Sequence, residues 1–149
     1  MKRNSIIIVL LSSLFLMGCE KPPVTLHDSV GGIASPKDKW VLLSYWADWC
    51  ENCADEVPEL NRFYAHHASN VLFYGVNYDQ LPKNQLVVAM KKMHMTYPSL
   101  LDNPSSIWSL DMVDLIPVLF VINPQGQVVK KIVGPVTAKQ LEKLTSKAE

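Results

Sequence analysis

Two cysteines separated by two residues, Cys50 and Cys53, are the part of this sequence best suited to chemistry. They end the stretch SYWADWCENC, residues 44–53, directly after Trp49. Cysteines at this spacing form a redox-active dithiol, half of a zinc site or a structural disulfide. These alternatives require different surroundings, so the elements on either side of the pair are needed to choose among them.

A strand followed by a helix is predicted around the cysteine pair. The continuous apolar and aromatic run from Trp40 to Trp46 is typical of a strand buried on both faces. From Cys50 to about His67, apolar residues recur at helical spacing. Cys50 is therefore expected at a helix N-terminus, where unpaired backbone N–H groups and the helix dipole stabilise a thiolate. Cys53, one turn later, is placed to resolve a mixed disulfide, so the arrangement favours thiol–disulfide exchange.

The rest of the chain alternates predicted strands and helices. The hairpin turn is Asn123-Pro124-Gln125-Gly126, and the last helix begins with a capping box from Thr137 to Gln140. The other elements, in chain order, are a buried strand over 71–76, a helix over 82–94, a short helix near 107–112 and hairpin strands over 118–122 and 128–133.

This pattern resembles the thioredoxin superfamily. The resemblance rests on the run from Trp46 to Cys53, on Pro58 five residues later, and on Ile116-Pro117 before the hairpin, and it covers about residues 38–147. It implies an α/β thioredoxin-like fold, with a central mixed sheet flanked by helices. It also implies a cis peptide bond before the proline, in a loop that faces the dithiol and pairs with the substrate backbone.

Within that superfamily, the sequence is similar to membrane-anchored thiol reductases of the TlpA, ResA and CcmG type. The similarity rests on Glu56, three residues after Cys53, and on the motif Gly75-Val76-Asn77-Tyr78. The segment between Asp79 and Ser109 matches an insertion before the cis proline that sets this branch apart. The resemblance implies disulfide-containing protein substrates, cytochrome c maturation among the roles, and a membrane thiol electron donor of the DsbD or CcdA type.

Site residues follow from the spacing and from the resemblance. Glu56 shares a helix face with Cys53, and helical side chains lean toward the N-terminus, so its carboxylate is expected to deprotonate the resolving thiol. Thioredoxins bury an aspartate where this chain has Ser44, and the members specific for apocytochrome carry an acid where it has Val118. The expected catalytic residues are Cys50, Cys53 and Glu56, and the expected substrate contacts are Trp49, Glu51, Asn52, Ile116 and Pro117.

Charge beside the dithiol predicts the direction of electron flow. Strongly oxidising relatives place a basic residue between the cysteines, whereas this chain has Glu51 and Asn52. Glu51, with Glu56 nearby, disfavours a thiolate on Cys50 and makes the disulfide harder to reduce. We therefore expect a reductase, with an oxidase or isomerase as the alternative, and no cofactor beyond the disulfide itself.

The sequence also contains two patterns that could bind a metal. Cys50, Cys53 and His66 match the first three ligands of a zinc finger, but the fourth should follow three to five residues later and His67 is adjacent instead. The run MKKMHM, residues 90–95, suits Cu(I) and a thioredoxin-fold copper chaperone, but packing of its methionines on a helix face is favoured. A purely structural disulfide is disfavoured because so short a loop adds little stability. No metal is expected.

The N-terminus predicts export and lipidation. Lys2 and Arg3 precede an apolar run that ends at Met17, which is typical of a secretory signal and too short for a comfortable transmembrane helix. Leu16-Met17-Gly18-Cys19 resembles the lipobox of bacterial lipoproteins, which implies a lipid on Cys19. An ordinary signal peptide or an uncleaved anchor is the alternative.

Three parts of the chain are therefore predicted: a signal peptide over 1–18, a lipid-anchored tether over 19–37 and a thioredoxin-like domain over 38–149. The 149 residues are 48% hydrophobic and 19% charged, which fits one globular domain. Fourteen basic residues balance fourteen acidic ones without a long basic run, which argues against a nucleic-acid partner. We expect a monomer on the periplasmic side of a bacterial membrane.

Overall fold

The computed structural model describes residues 30–31 and 38–146. Its elements in chain order are β1 (Val30–Gly31), β2 (Trp40–Trp46), α1 (Glu51–His67), β3 (Val71–Asn77), α2 (Lys83–Lys92), β4 (Ser99–Leu100), α3 (Ser105–Trp108), β5 (Val118–Ile122), β6 (Val128–Val133) and α4 (Ala138–Thr145). The strands form one sheet in the order β1-β4-β3-β2-β5-β6.

The sheet is mixed, as predicted. β2 pairs in parallel with β3, from Trp40 opposite Val71 to Trp46 opposite Asn77. On its other side β2 pairs antiparallel with β5, and β5 and β6 form the expected hairpin. The carboxyl ends of β2 and β3 therefore lie side by side, at the edge of the sheet where α1 begins.

α1 lies along the face of β2 that carries its even-numbered residues. Leu42 packs with Leu60 and Phe63 of α1, and Trp46 packs with Cys53 nearer the start of the helix. The odd-numbered residues of β2 join a separate core cluster on the opposite face of the sheet. The first turns of α1 are thus fixed above the carboxyl end of β2.

Asn61 of α1 ties the helix to the segment between α2 and β4. Its side-chain amide donates to the carbonyl of His94 at 2.8 Å, and its oxygen accepts from the backbone N–H and the hydroxyl of Thr96, each at 2.8 Å. His94 has a left-handed backbone conformation, with φ 54°. The turn that Asn61 holds leads directly into Tyr97, which is fully buried.

A second contact of α1 fixes the start of α4. The capping box between Thr137 and Gln140 is confirmed. In addition, a carboxylate oxygen of Glu59 accepts a hydrogen bond from the backbone N–H of Ala138 at 3.0 Å. The chain segment between β6 and α4 is therefore bound to α1 as well as to its own helix.

Three differences from the predicted elements concern short pieces. β4 lies in a segment for which no strand was predicted, and β1 lies inside the predicted tether and pairs with β4. The predicted helix near 107–112 is wrong in position: α3 ends at Trp108 because Ser109 takes a left-handed conformation, with φ 49°, that a helix does not continue through.

Other expectations concern the helix after β3 and the membrane. Met90 and Met93 are buried in the core, which confirms packing as their role. The predicted signal peptide, Cys19 and most of the predicted tether lie outside the described residues. In the described part of the chain, no helix has the length and apolar character needed to cross a membrane.

Replacing Asn61 by Ala is expected to lower the free energy of unfolding by about 1–3 kcal/mol, because the 94–96 turn loses three hydrogen bonds to Asn61, each worth about 0.5–1.5 kcal/mol. Urea unfolding followed by tryptophan fluorescence measures this. Asn84→Ala on exposed α2 is the matched control and should change stability by less than about 0.5 kcal/mol. Equal effects of the two substitutions would contradict the proposed role of Asn61.

Candidate active site

The cysteine pair begins α1, as the sequence predicts. Cys50 is the N-cap residue and is joined to Cys53 by a disulfide, with an S–S distance of 2.09 Å and a Cα–Cα distance of 5.2 Å. The backbone N–H of Cys53 donates to Sγ of Cys50 at 3.2 Å. Cys50 is 8% exposed and Cys53 only 1%, so Cys50 is the sulfur that a partner can reach. The same N–H and the helix dipole would stabilise a thiolate on Cys50 after reduction.

Trp49, directly before the pair, lies on the surface. It is 62% exposed, its indole N–H donates to a carboxylate oxygen of Asp79 at 2.7 Å, and its ring meets the ring of Tyr78 edge-on at 6.3 Å. One residue earlier, Asp48 pairs with Lys92 at 3.0 Å. The loop from β2 to α1 is therefore held to the loop after β3 and to α2. The role of Asp79 was not predicted, because an isolated acid in a loop carries no spacing signal.

The peptide bond between Ile116 and Pro117 is cis, which confirms the prediction from the resemblance. Pro117 precedes β5, whose first residue Val118 pairs with Tyr45 near the carboxyl end of β2. Ile116 packs against the core cluster that contains both active-site cysteines. The fold thus brings the predicted contact residues Ile116 and Pro117 to the disulfide.

Glu51 and Asn52, the two residues between the cysteines, are exposed in the first turn of α1. Their side chains are available to a bound partner, as expected of substrate contacts. Glu51 places a negative charge at the end of the helix where the dipole favours one. It therefore competes with a Cys50 thiolate for the same positive end of the helix.

Glu56 is buried one turn after Cys53, and only 3% of it is exposed. Burial raises the pKa of Glu56 from 4.5 to about 7, although a hydrogen bond from the backbone N–H of Val136 to its Oε1, at 2.9 Å, acts in the opposite direction. A carboxyl group that titrates near neutral pH is suited to accept and return protons. Its position on the Cys53 face of α1 agrees with the prediction from spacing.

The zinc alternative does not fit this geometry. Cys50 and Cys53 are bonded to each other, and His66 lies thirteen residues beyond Cys53 along α1, a rise of about 20 Å. Within the described ranges, no group of three or more histidine, cysteine or acidic residues is arranged to hold a metal ion. Because Cys53 and His66 lie near opposite ends of α1, they cannot bind the same ion.

Comparison with known proteins supports the chemistry that this arrangement allows. The AhpC/TSA family matches residues 18–131. Sporulation thiol-disulfide oxidoreductase A of Bacillus subtilis (strain 168) is 33% identical over 130 residues, covering 83% of this chain and 79% of that protein. Thiol-disulfide oxidoreductase ResA of the same strain is 31% identical over 128 residues, which cover 83% of this chain and 71% of that protein. The crystal structure of StoA from Bacillus subtilis gives a TM-score of 0.60 at 32% identity, covering 73% of this chain and 84% of that chain.

Buried Glu56 should make the stability of the oxidised protein depend on pH. Between about pH 4.5 and pH 7 the folded protein keeps a proton that the unfolded chain has lost, so the free energy of unfolding falls as the pH rises, by about 3 kcal/mol in all. Glu56→Gln cannot ionise and should lack this part of the dependence.

Urea unfolding across this pH range tests the prediction. Glu142→Gln, the same change at an exposed position of α4, should keep the wild-type dependence. Parallel pH curves for wild type and Glu56→Gln would show that Glu56 has no raised pKa in the folded protein.

Proposed function

Because the chain belongs to the AhpC/TSA family and is a thiol–disulfide oxidoreductase with a thioredoxin-like fold, we propose that it is an extracytoplasmic reductase of protein disulfides. The observation that carries this proposal is the asymmetry of the disulfide. Its accessible sulfur, on Cys50, begins a helix beside the acid Glu51, and its buried sulfur, on Cys53, lies one turn before a buried carboxyl group, that of Glu56.

The reaction begins from the dithiol. The thiolate of Cys50 attacks one sulfur of a substrate disulfide, forms a mixed disulfide with it, and releases the other substrate sulfur as a thiolate that takes up a proton. Trp49, Asn52 and Ile116 surround Cys50 and contact the substrate at this stage. The backbone beside Pro117 pairs with the substrate chain, as the family resemblance implies.

Cys53 completes the reaction. Glu56 takes the proton of the Cys53 thiol, and the resulting thiolate attacks Sγ of Cys50, so that the bond from Cys50 to the substrate breaks as the Cys50–Cys53 bond forms. The second substrate sulfur leaves as a thiolate and is protonated. In sum, two electrons and two protons pass from the dithiol to the substrate disulfide.

The protein serves as an electron donor because charge near Cys50 disfavours the thiolate. Glu51 raises the free energy of a thiolate on Cys50. Because the reduced form is then less stable relative to the disulfide, the Cys50–Cys53 couple becomes more reducing. The disulfide itself is the redox group, and no further cofactor takes part. Reduction of the enzyme after each turnover requires an external thiol donor, which we propose to be a membrane protein of the DsbD or CcdA type.

Membrane attachment and a role in cytochrome c maturation are finer parts of the proposal. Cys19 carries a lipid that holds the monomeric domain at the periplasmic side of a membrane, which places it beside such a donor. The motif of residues 75–78 and Glu56 support apocytochrome as one substrate, whereas Val118 after the cis proline favours a broader range of protein disulfides.

The reduction potential of the Cys50–Cys53 pair tests the direction of electron flow. Equilibration with thiol buffers, followed by tryptophan fluorescence, should give a value near or below about −200 mV, and Glu51→Gln should make it less negative. Glu142→Gln, on exposed α4, should leave it unchanged. A wild-type value near about −120 mV would identify an oxidase and overturn the reductase.

Loss of the lipid should release the protein. Full-length Cys19→Ser is expected to move from the membrane fraction to the soluble fraction, and from the detergent phase to the aqueous phase on Triton X-114 partitioning. Cys53→Ser, which removes a different cysteine, should stay membrane-bound. Membrane retention of Cys19→Ser equal to that of the wild type would refute the anchor.

A further inference from the structure

A buried hydroxyl lies on β2 at the level of Glu56. Ser44 is 1% exposed, and its Oγ has no hydrogen-bond partner in the described structure. Its side chain lies on the α1 face of β2, between Leu42, which packs near Leu60, and Trp46, which packs near Cys53. Glu56 occupies the helix between those same two levels. Ser44 therefore lies beneath the part of α1 that carries the carboxyl group.

A second buried hydroxyl reaches the same place from the segment before β4. Tyr97 is fully buried, and its ring meets Phe73 of β3 edge-on at 4.8 Å. It belongs to the core cluster that contains Val136, the residue whose backbone N–H binds Glu56. The hydroxyl of Tyr97 also has no partner among the residues described. Burial, and after it the charge of Glu56, raise the pKa of Tyr97, so this hydroxyl keeps its proton at physiological pH.

Buried hydroxyls without partners are costly, about 1–3 kcal/mol each, and are retained where a partner is available in some state of the protein. Glu56 offers such a partner. The Val136 N–H uses Oε1, and an ionised carboxylate has further acceptor positions on both oxygens. A neutral tyrosine can donate to the ionised carboxylate, and that bond is stronger than one between neutral groups.

We propose that Tyr97 is a positioning residue for Glu56: its hydroxyl, assisted by that of Ser44, donates to the ionised carboxylate and so keeps Glu56 ready to accept the proton of Cys53. This inference rests on the proposed role of Glu56 in resolving the mixed disulfide. The proton passes from Sγ of Cys53 to a carboxylate oxygen of Glu56, and the electron pair left on Cys53 attacks Sγ of Cys50 and expels the substrate thiolate. Tyr97 and Ser44 keep their protons throughout.

The groups around Glu56 come from every element packed against it. Along α1 they are Cys53 one turn earlier and Glu59 one turn later, the latter paired with Arg62 at 2.9 Å and bound to the start of α4. The β6–α4 segment contributes the backbone N–H of Val136, and the segment before β4 contributes Tyr97. β2 contributes Ser44, which does not titrate. Among these groups, Tyr97 is the titratable one from outside α1. Removing its hydroxyl should raise the pKa of Glu56 without changing the charge of the site.

The test follows the resolving step directly. Reduced protein is mixed with 5,5′-dithiobis(2-nitrobenzoic acid), and the two releases of nitrothiobenzoate report first the attack by Cys50 and then the attack by Cys53. In Tyr97→Phe, the pH midpoint of the second release should move to higher pH, and its rate at neutral pH should fall several-fold, while the first release is unchanged. Ser44→Ala should give a smaller shift in the same direction.

The matched control is Tyr64→Phe. Tyr64 is a residue of α1 whose ring centroid lies 6.4 Å from that of Tyr97, so this change removes a neighbouring hydroxyl. It should leave both releases as in the wild type. In a Glu56→Gln background, Tyr97→Phe should add no further change, because the hydrogen bond then has no carboxylate to act on. Urea unfolding of each variant identifies any that is not folded. If Tyr97→Phe is not folded, an isotope-edited NMR titration of the Glu56 carboxyl carbon compares the pKa of Glu56 between oxidised wild type and oxidised Ser44→Ala, and the pKa should be higher in the variant.

The outcomes separate this inference from the function on which it rests. A slowed second release in Glu56→Gln together with a wild-type pH profile in Tyr97→Phe and Ser44→Ala would overturn the positioning role and leave Glu56 as the base. A second release in Glu56→Gln equal to that of the wild type would overturn the base itself. An unchanged second release in Glu56→Gln together with a shifted profile in Tyr97→Phe would mean that Tyr97 acts on Cys53 without Glu56, which also contradicts the proposal.

Discussion

The junction between β2 and α1 is the constraint on which the rest of the site depends. The carbonyl of Ala47 accepts the backbone N–H of Cys50 at 3.2 Å, so the chain turns within a few residues from the carboxyl end of the strand into the helix. This turn makes Cys50 the N-cap and sets the rotation of α1 about its axis. A shift of one residue would rotate each helical side chain by about 100° and would bring neither Cys53 nor Glu56 to the sheet. The more accessible sulfur of Cys50, the buried thiol and the buried carboxyl group thus follow from one register.

Two acids beside the dithiol act differently because water reaches one and not the other. Glu51 is exposed, so its field at Cys50 is screened and is opposed by the helix dipole, each effect being worth about 1 kcal/mol or less. Glu56 is buried and its pKa is raised to about 7, so the role proposed for it beside the dithiol is proton transfer. In the proposed mechanism, the first acid adjusts the redox equilibrium, whereas the second controls the rate of the resolving step.

The sequence predicts the elements whose pattern repeats over several turns or pairs. β2, α1 and the β5–β6 hairpin have such patterns, and Glu56 was found because a spacing of three residues places it on the face of Cys53. β4 has only two residues, and its pairing with Gly75 and Val76 depends on β3 rather than on its own composition. Tyr97 was missed for a similar reason. It follows an irregular segment without a period, and its burial depends on the turn that Asn61 holds from a distant part of the chain.

The segment from Gly134 to Ala138 connects the cis-proline loop with the carboxyl groups of Glu56 and Glu59 on α1. Its Gly134 N–H donates to the carbonyl of Pro117 at 2.9 Å, its Val136 N–H donates to Glu56, and its Ala138 N–H donates to Glu59. The bond from Val136 is stronger when Glu56 is ionised, because a charged acceptor roughly doubles the strength of a hydrogen bond. In the proposed mechanism, proton transfer from Cys53 neutralises Glu56 and therefore weakens that bond. The same segment also binds the carbonyl of the cis proline, so in the proposed mechanism the protonation of Glu56 is coupled to the loop that contacts the substrate.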